Sequence, residues 1–548
     1  MQAASQLLDE LADADPANAS SARLVAGLYA HAAGRESEAE ERLAGAATPG
    51  GLLEDWRLYA LAESALAQGH SDLAERSLVR LADTCPASPL RPRALAAAAE
   101  LARRRERREQ PPVHRKSSRT STRRAGGRRY HFHLVGGGLD WDRLLAGGDA
   151  PPRTLSLFDR DAPPADVLPG NGWRMAEAGE ATAARDLWER GWNAYRAADD
   201  GAAVGYWSEL QSLYPGRSDA HRGLYWQARA LERLGQTDQA HDAYRRLVAL
   251  SDTEDFYGRQ ALLRLGASAS VAWARTRAPQ PWRIDPQVRR AKLLTDLGLD
   301  DLAARELAFV ANTQSAAISA GTPAASGTRE RDLLAVKALI VGRRGRRAES
   351  IILLREAFPA LGTAYQASVP QEILYAYYPL DFGDAIQSAA AAAHLPAALV
   401  AGIIRQESAF DPRATSRVGA RGLMQLMPVA ARETARDLGL ALRPASLYDP
   451  ALSVRLGAAY FKQVLDSFGG DVELALAGYN SGPNRIRRLW AAAGPAARVD
   501  DFVENLGIAE TRDYVKRILV LADSYRQLYP GLALAPPPPP FVSRPAGA

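Results

Sequence analysis

Apolar residues recur every three to four positions along most of this chain, from about residue 7 to 101 and again from 173 to 358. That period places them on one face of a helix, and the sequence has no sustained alternation of β-branched and polar residues that would indicate strands. The pattern predicts an all-α chain. One spacing recurs inside it: a Gly, an Ala five residues later, and a large apolar residue four beyond that. It occurs at Gly34/Ala39/Leu43, Gly69/Ala74/Leu78, Gly179/Ala184/Trp188, Gly235/Ala240/Tyr244 and Gly298/Ala303/Leu307.

This spacing is typical of helical hairpins. The Gly suits the end of one helix, where a left-handed residue is needed, and the Ala and the large residue share one face of the next helix. The first two copies are 35 residues apart, close to the tetratricopeptide period, while later gaps are irregular. We therefore predict a degenerate, tetratricopeptide-like superhelix of hairpins. The alternative is that an Ala-rich helical protein produces such matches by chance.

Changes of composition divide the chain into five predicted parts. They are N-terminal helical hairpins at 1–102, a basic linker or insertion rich in Gly, Ser and Pro at 103–170, an α-superhelical domain at 171–365, a C-terminal domain at 366–530, and a Pro-rich tail at 531–548 that we expect to be disordered.

The charge distribution and the cysteine content argue against several classes of function. The chain has 548 residues and a formal net charge of +5, but the segment 103–129 alone holds twelve basic residues against two acidic ones. The basic balance thus belongs to one segment, which we interpret as a solvated loop. A nucleic-acid-binding arm is the alternative, although only Tyr130 and Phe132 could stack on bases. The single cysteine, Cys85, excludes an intrachain disulfide, and His131 and His133 are too few for a metal site. We expect no cofactor and no metal.

The strongest chemical candidate is Glu407. A helix predicted to begin at Leu395-Pro396 carries an apolar stripe, and the next position on the same face is Glu407. A carboxyl group there is partly desolvated, which raises its pKa towards the range of a general acid. The alternative is a Glu at a helix end that turns to solvent or caps a neighbour. The stripe consists of Leu399, Val400, Ile403 and Ile404.

Three later motifs carry further polar groups. In SRVGARGLMQLMP, glycines indicate tight backbone, Met424 offers an apolar wall, and Gln425 offers an amide that can orient a sugar. In GYNSGP, Tyr479 and Asn480 stand at a predicted transition from helix to turn. In ETRDYV, Glu510 and Tyr514 share one helical face. Each motif alone is equally compatible with an ordinary core or surface helix.

Together these motifs resemble those of the soluble lytic transglycosylases. The resemblance extends from about Tyr377 to Tyr529 and rests on RQESAF, GLMQLMP, GYNSGP and ETRDYV, with YP before the domain and LYDP in its middle. It implies a lysozyme-like, α-helical catalytic domain. Upstream, GLYWQARALERLG and DFYGRQALLRLG resemble the helical superhelix of that family.

The resemblance also implies roles for single residues. Glu407 would be the catalytic acid and Ser408 a polar helper near the sugar. The side chains of Met424 and Gln425 would line the cleft, Tyr479 and Asn480 would contact the sugar, and Tyr514 with Glu510 would close the back of the pocket. Two positions depart from the family: Gly478 replaces the usual Ala, which loosens the helix, and Leu506-Gly507 replaces Ile-Pro.

The expected reaction is cleavage of the β-1,4 bond between N-acetylmuramic acid and N-acetylglucosamine in peptidoglycan, giving 1,6-anhydromuramoyl ends. Glu407 would act first as acid and then as base, since Asp411 before Pro412 is interpreted as a turn residue. The alternatives are a hydrolytic lysozyme of similar fold, which needs a second carboxylate, and a non-catalytic helical scaffold at the cell wall.

The expected partners are peptidoglycan glycan strands, with no nucleic acid and no transmembrane segment. Such a substrate implies a periplasmic or cell-envelope location. The first residues, MQAASQLLDELADADP, are acidic and lack an export signal. We therefore expect the natural N-terminus to lie upstream of this sequence.

Overall fold

The computed structural model describes residues 19–46, 51, 53–109, 173–215, 217–250, 256–266, 281–319, 327–362, 366, 368–495 and 497–532. Across these ranges the secondary structure is helical, apart from two isolated β-bridges, Thr415 with Arg421 and Arg421 with Leu426. The all-α prediction is confirmed. None of the described helices is long and apolar enough to cross a membrane.

The chain forms two compact units, each built from two stretches of sequence. The first comprises Met1–Arg153 and Ile284–Arg329, and the second comprises Thr154–Arg283 and Glu330–Ala548. The five parts predicted from the sequence were delimited by changes of composition, which is a different criterion. Their boundaries stay predictions. The predicted linker at 103–170 lies outside the described residues except for its first seven, 103–109, which continue a helix. The predicted tail at 531–548 lies outside them beyond residue 532.

Buried polar contacts explain why two distant stretches form the first unit. The indole of Trp56 donates to Glu306 at 3.1 Å, and Arg290 donates to Asp55 at 2.7 Å, joining residues more than two hundred positions apart. Removing Arg290 would take the cationic partner from two buried carboxylates, Asp55 and Glu306. The helices of this unit are α1 Ala19–Ala32, α2 Glu36–Gly45, α3 Glu54–Ala67, α4 Ser71–Thr84, α5 Arg91–Glu109, α11 Arg289–Asp296 and α12 Asp300–Ser319.

The second unit begins with more hairpins and ends with the C-terminal domain. Its hairpin helices are α6 Trp173–Arg196, α7 Asp200–Leu213, α8 Ser218–Arg233, α9 Thr237–Leu250, α10 Phe256–Arg264, α13 Gly327–Arg343 and α14 Arg347–Ala357. The C-terminal helices are α15 Gln371–Tyr377, α16 Gly383–Ala392, α17 Ala397–Glu407, α18 Pro428–Asp437, α19 Pro450–Ser467, α20 Val472–Ser481, α21 Pro483–Ala493, α22 Val499–Asn505 and α23 Ala509–Leu528. Short 3₁₀ turns occupy Pro444–Tyr448 and Pro530–Leu532.

Most copies of the glycine spacing end a helix as predicted. Gly34, Gly69, Gly235 and Gly298 all have positive φ, from 69° to 84°. At Gly34, the amide of the next residue donates to the carbonyl of Ala30, five positions back, and Gly34 itself donates to His31. This pair of bonds is the Schellman motif, which satisfies carbonyls left open at a helix end.

The copy at Gly179 is a correction, because Gly179 lies inside α6 and ends no helix. The helix continues to Arg196, and the residue that ends it is Ala198, with φ 60°. Five and nine residues later come Ala203 and Trp207, both fully buried. The hairpin geometry is therefore present one helix further on. A search for glycine misses it because an alanine occupies the left-handed position.

The C-terminal domain is built around the paired helices α17 and α23. All but two residues of α17 are buried. Gly402 permits the close approach, since a Cβ atom there would lie 3.2 Å from the backbone nitrogen of Ala522 and 3.3 Å from the carbonyl oxygen of Ile518. A larger residue would push the two helices apart. This pairing brings the end of α17 next to the first turns of α23.

Candidate active site

Glu407 is the last residue of α17, as the apolar stripe predicts. The two residues after Ser408 are non-glycine residues in the left-handed region, Ala409 with φ 50° and Phe410 with φ 66°. Both are buried. Such conformations cost about 1–3 kcal/mol each and persist where surrounding packing enforces them, often at functional sites. Here they turn the chain sharply at Glu407.

Burial brings the pKa of the Glu407 carboxyl group close to physiological pH. Burial raises its pKa from 4.5 to about 7, the hydrogen bond from Tyr514 lowers it, and the negative charge of Glu510 raises it. The side chain is half-buried, so protein surrounds it while a path to solvent remains. A carboxyl group with a pKa near 7 can both donate and accept a proton.

Tyr514 contacts Glu407 directly. Its hydroxyl donates to Oε1 of Glu407 at 2.6 Å, and its side chain is buried, with 4% exposed. Burial and the adjacent carboxylate raise the pKa of the phenol well above its ordinary value, so it remains a donor. The two residues are 107 positions apart in sequence.

The place expected for Glu510 at the back of the pocket stays a prediction. Glu510 is exposed on the first turn of α23, one turn before the buried Tyr514. Its contact with the site is electrostatic, through the effect of its charge on the pKa of Glu407.

Ser408 contacts backbone in this structure. Its buried hydroxyl lies 3.1 Å from the carbonyl oxygen of Ile404 and 2.9 Å from that of Leu423. It therefore ties the end of α17 to the loop that carries Met424 and Gln425. The role expected for it beside the sugar stays a prediction.

Met424 does not line a cleft, which corrects the expectation from its motif. The side chain is fully buried. A Cβ atom on Gly457 of α19 would lie 2.4 Å from its sulfur, so the thioether fills the space that this glycine leaves. Its backbone contributes instead, because the carbonyl oxygen of Met424 accepts a hydrogen bond from Tyr479 at 2.7 Å.

Gln425 is held in a left-handed conformation, with φ 48°. Its side-chain nitrogen lies 3.1 Å from the carbonyl oxygen of Ala414 and 2.8 Å from that of Gly422. Both amide hydrogens are thereby used on the loop, which leaves the side-chain oxygen as an acceptor. Gly422 has φ 76°, and a Cβ atom there would meet the carbonyl oxygen of Leu447 at 2.0 Å. Only glycine fits this turn.

The helix end of the GYNSGP motif places Tyr479 and Asn480 at the C-terminal end of α20. Tyr479 packs on Tyr460 and Phe461, with ring centroids 5.5 and 5.8 Å apart. Burial and the charge of Glu407 raise its pKa well above the ordinary value. Asn480 accepts a hydrogen bond from Thr511 at 2.6 Å through its side-chain oxygen.

Two of these contacts were missed by sequence reasoning. Thr511 lies inside the ETRDYV motif, between the two residues that were singled out, and its fully buried hydroxyl links α20 to α23. Tyr460 lies on α19 in an ordinary helical pattern, and no motif around it in the sequence predicts a contact with the site. In the described parts of the chain, no three His, Cys, Asp or Glu side chains come together as a metal site.

Two family models match parts of this chain. Residues 384–499 match the model of the transglycosylase SLT domain. This segment is an SLT domain. Residues 222–251 match a tetratricopeptide repeat model, so the expected tetratricopeptide-like character of the upstream hairpins is confirmed. The resemblance to the soluble lytic transglycosylases is confirmed as well.

The chain spans less than two fifths of the length of two curated relatives that it matches. The soluble lytic murein transglycosylase of Escherichia coli is 36% identical over 153 residues, which are 27% of this chain and 23% of that protein. The transglycosylase of Enterobacteria phage PRD1 is 42% identical over 113 residues, 21% of this chain and 38% of that protein. The solved 70 kDa soluble lytic transglycosylase from Escherichia coli is 19% identical with a TM-score of 0.44, covering 93% of this chain and 72% of that one.

Proposed function

We propose that this chain is a lytic transglycosylase that cleaves the β-1,4 bond between N-acetylmuramic acid and N-acetylglucosamine in peptidoglycan. The observation that carries the proposal is the single half-buried Glu407, whose pKa of about 7 is set by burial, Tyr514 and Glu510. Its position at the end of α17 in an SLT domain supports the assignment. Curated relatives that match 153 residues of this chain are named soluble lytic murein transglycosylases.

The first step is general acid catalysis. Protonated Glu407 donates its proton to the glycosidic oxygen, and the bond from that oxygen to C1 of the muramoyl sugar breaks. The 2-acetamido carbonyl of the substrate stabilises the positive charge that develops at C1. Tyr514 donates its hydrogen bond to the new Glu407 carboxylate. A hydrogen bond to the charged form is stronger than one to the neutral form, so this contact assists the acid step.

The second step uses the same residue as a base. The Glu407 carboxylate accepts the proton of the C6 hydroxyl, whose oxygen bonds to C1 and closes the 1,6-anhydro ring. Glu407 is protonated again, and no water is consumed. Tyr479 and Asn480 at the end of α20, and the side-chain oxygen of Gln425, are proposed to hold the sugar in register with Glu407.

A single catalytic carboxylate favours this reaction over ordinary hydrolysis. A hydrolytic glycosidase pairs its acid with a second carboxylate close to the sugar. Asp411 accepts the backbone amide of Arg413 at 2.8 Å, as a turn residue does. Glu510 is exposed on α23. The substrate assigned to the chain places its action in the cell envelope, on peptidoglycan glycan strands.

The test is the mass of the products released from purified sacculi. Wild-type protein is expected to release muropeptides lighter by one water than lysozyme products. Glu407→Gln is expected to bind glycan and to lose turnover by a factor of ~10² or more, because the acid is removed while shape is kept. Asp411→Asn is the matched control, a carboxylate four residues away that should be dispensable.

Each other outcome has a defined meaning. Hydrated products would assign the alternative, a hydrolytic lysozyme. Release of no fragments by wild-type protein would assign a non-catalytic scaffold. Near-normal turnover by Glu407→Gln would remove Glu407 from the mechanism.

A further inference from the structure

Helix α23 is held on two opposite faces. Tyr514 points to Glu407, and Lys516, two residues later, lies roughly 200° around the helix. Lys516 Nζ donates to Oε2 of Glu504 at 2.8 Å and to the hydroxyl of Tyr257 at 2.7 Å. Glu504 belongs to α22, whereas Tyr257 belongs to the hairpin helix α10. A residue of the tetratricopeptide-like region therefore contacts the helix that carries Tyr514.

The contacts around Glu504 form a complete ionic cluster. Its side chain is 1% exposed and accepts hydrogen bonds from the hydroxyl of Tyr257 at 3.0 Å and from Nε of Arg222 on α8 at 3.0 Å. Although burial alone raises the pKa of Glu504, Lys516 and Arg222 lower it to about 2. Glu504 thus stays charged throughout the working pH range. Buried charges arranged in this way tolerate few geometries, so the cluster fixes α23 firmly against α10.

A second contact repeats the attachment further along the same face. Arg259 of α10 donates to Asp523 at 2.7 Å, and both side chains are buried. Asp523 lies seven residues after Lys516, which is two helical turns and the same side of α23. Helix α10 therefore holds α23 at two points, both on the face opposite Tyr514.

We propose that Tyr257 is a positioning residue for the SLT active site: through Lys516 it holds α23 in the register that maintains the Tyr514–Glu407 hydrogen bond. The inference rests on the proposed function of Glu407. It gives the hairpin helices a part in the chemistry without contact with substrate. The groups that face Glu407 are the hydroxyls of Tyr514 and Tyr479 and the carboxylate of Glu510. Tyr514 and Glu510 both lie on α23, so a small displacement of that helix changes their distances from Glu407.

The test is a double-mutant cycle between Tyr257→Phe and Tyr514→Phe, measured as kcat and its pH profile on sacculi. Tyr257→Phe keeps the ring and removes one hydroxyl, so we expect kcat to fall about threefold to tenfold, the equivalent of one hydrogen bond. The basic limb of the profile should move to higher pH, as in Tyr514→Phe, because a donor to the carboxylate is weakened. In the Tyr514→Phe background, Tyr257→Phe should change kcat less than about twofold, since the contact it supports is already absent.

The matched control is Tyr244→Phe on α9. Tyr244 is fully buried and donates to Glu232 at 2.9 Å, so the change removes the same group from the same hairpin region without touching α23. Thermal melts of all variants separate loss of stability from loss of positioning. Arg222→Gln is a second variant, which removes a different donor to Glu504. It should shift the basic limb of the pH profile in the same direction as Tyr257→Phe.

Equal effects of Tyr257→Phe and Tyr244→Phe on kcat and pH profile would overturn the proposal. So would additive effects of Tyr257→Phe and Tyr514→Phe. In both cases active wild-type protein would leave the proposed function intact. If wild-type protein releases no anhydro products, the function itself fails, and the two failures are distinguishable.

Discussion

Glu407→Gln should raise the free energy of unfolding, and only above about pH 4.5, where Glu407 ionises in the unfolded chain. In the folded state burial raises the pKa of Glu407 from 4.5 to about 7. Below pH 4.5 the side chain is neutral whether the chain is folded or unfolded, so Glu and Gln are equivalent. As the pH rises towards 7, the unfolded chain ionises freely while the folded site resists ionisation. The wild-type protein loses stability across that window, and Gln, which never ionises, does not.

The size of the effect follows from the pKa difference. A rise from 4.5 to about 7 corresponds to roughly 3 kcal/mol at ~1.4 kcal/mol per pKa unit. Because Glu407 is half-buried, solvent screening reduces this figure, and we expect about 1–3 kcal/mol at pH 8. The amide oxygen of Gln can still accept the hydrogen bond from Tyr514, so no new unpaired group offsets the gain.

The assay compares urea unfolding of wild type and Glu407→Gln at pH 4.5, 6 and 8. The difference in free energy of unfolding should be near zero at the lowest pH and grow monotonically to the highest. Asp411→Asn, at a partly exposed turn, should show no such growth. A pH-independent difference, or wild-type protein that is more stable than Glu407→Gln at pH 8, would refute the view that burial destabilises the ionised acid.

Two further substitutions test the neighbours of Glu407. Glu510→Gln removes a charge that raises the pKa of Glu407, so the basic limb of the pH–rate profile should move to lower pH while turnover is retained; abolished turnover would instead identify Glu510 as a second catalytic carboxylate. Gly422→Ala should destabilise the domain by about 3 kcal/mol or more in urea unfolding, because the added Cβ meets the Leu447 carbonyl oxygen at 2.0 Å in addition to the strain at positive φ. Gly419→Ala is its control: φ is 90° but nothing lies within 4 Å, so only about 1–2 kcal/mol of strain should remain, and equal losses would contradict the clash.

Helical periodicity located Glu407 correctly because both the stripe and the site depend on the same local geometry. The stripe of α17 continues to its last residue, and that residue is where the carboxyl group meets the core. The turn glycines were predictable for the same reason, since a positive φ is a property of a few adjacent residues. Ala198 shows the limit of that rule, because an alanine adopts there a positive φ of 60° that its side chain disfavours.

Side-chain direction was not predictable where it depends on distant residues. Met424 and Gln425 are neighbours in one motif, yet the first fills the space beside Gly457 and the second bonds its own loop. Nothing in the local pattern distinguishes a methionine in a cleft from one in the core. The contact between Tyr514 and Glu407 likewise depends on the approach of two helices at Gly402, which spacing within either helix does not encode.

Gly478 shows how a departure from a family pattern has to be interpreted together with its neighbours. Replacing the usual Ala by Gly lowers helix propensity by about 1 kcal/mol, which predicts a looser helix before Tyr479 and Asn480. In the structure Gly478 is buried, and a Cβ atom there would lie 2.7 Å from the ring of Phe468 and 3.2 Å from Val464. The ring of Phe468 thus occupies the space that an alanine methyl group would need. An alanine at this position would displace the ring or shift α20, and a shift of α20 would move Tyr479 and Asn480. Gly478 and Phe468 therefore form one packing unit, in which the ring fills the space of the missing methyl group.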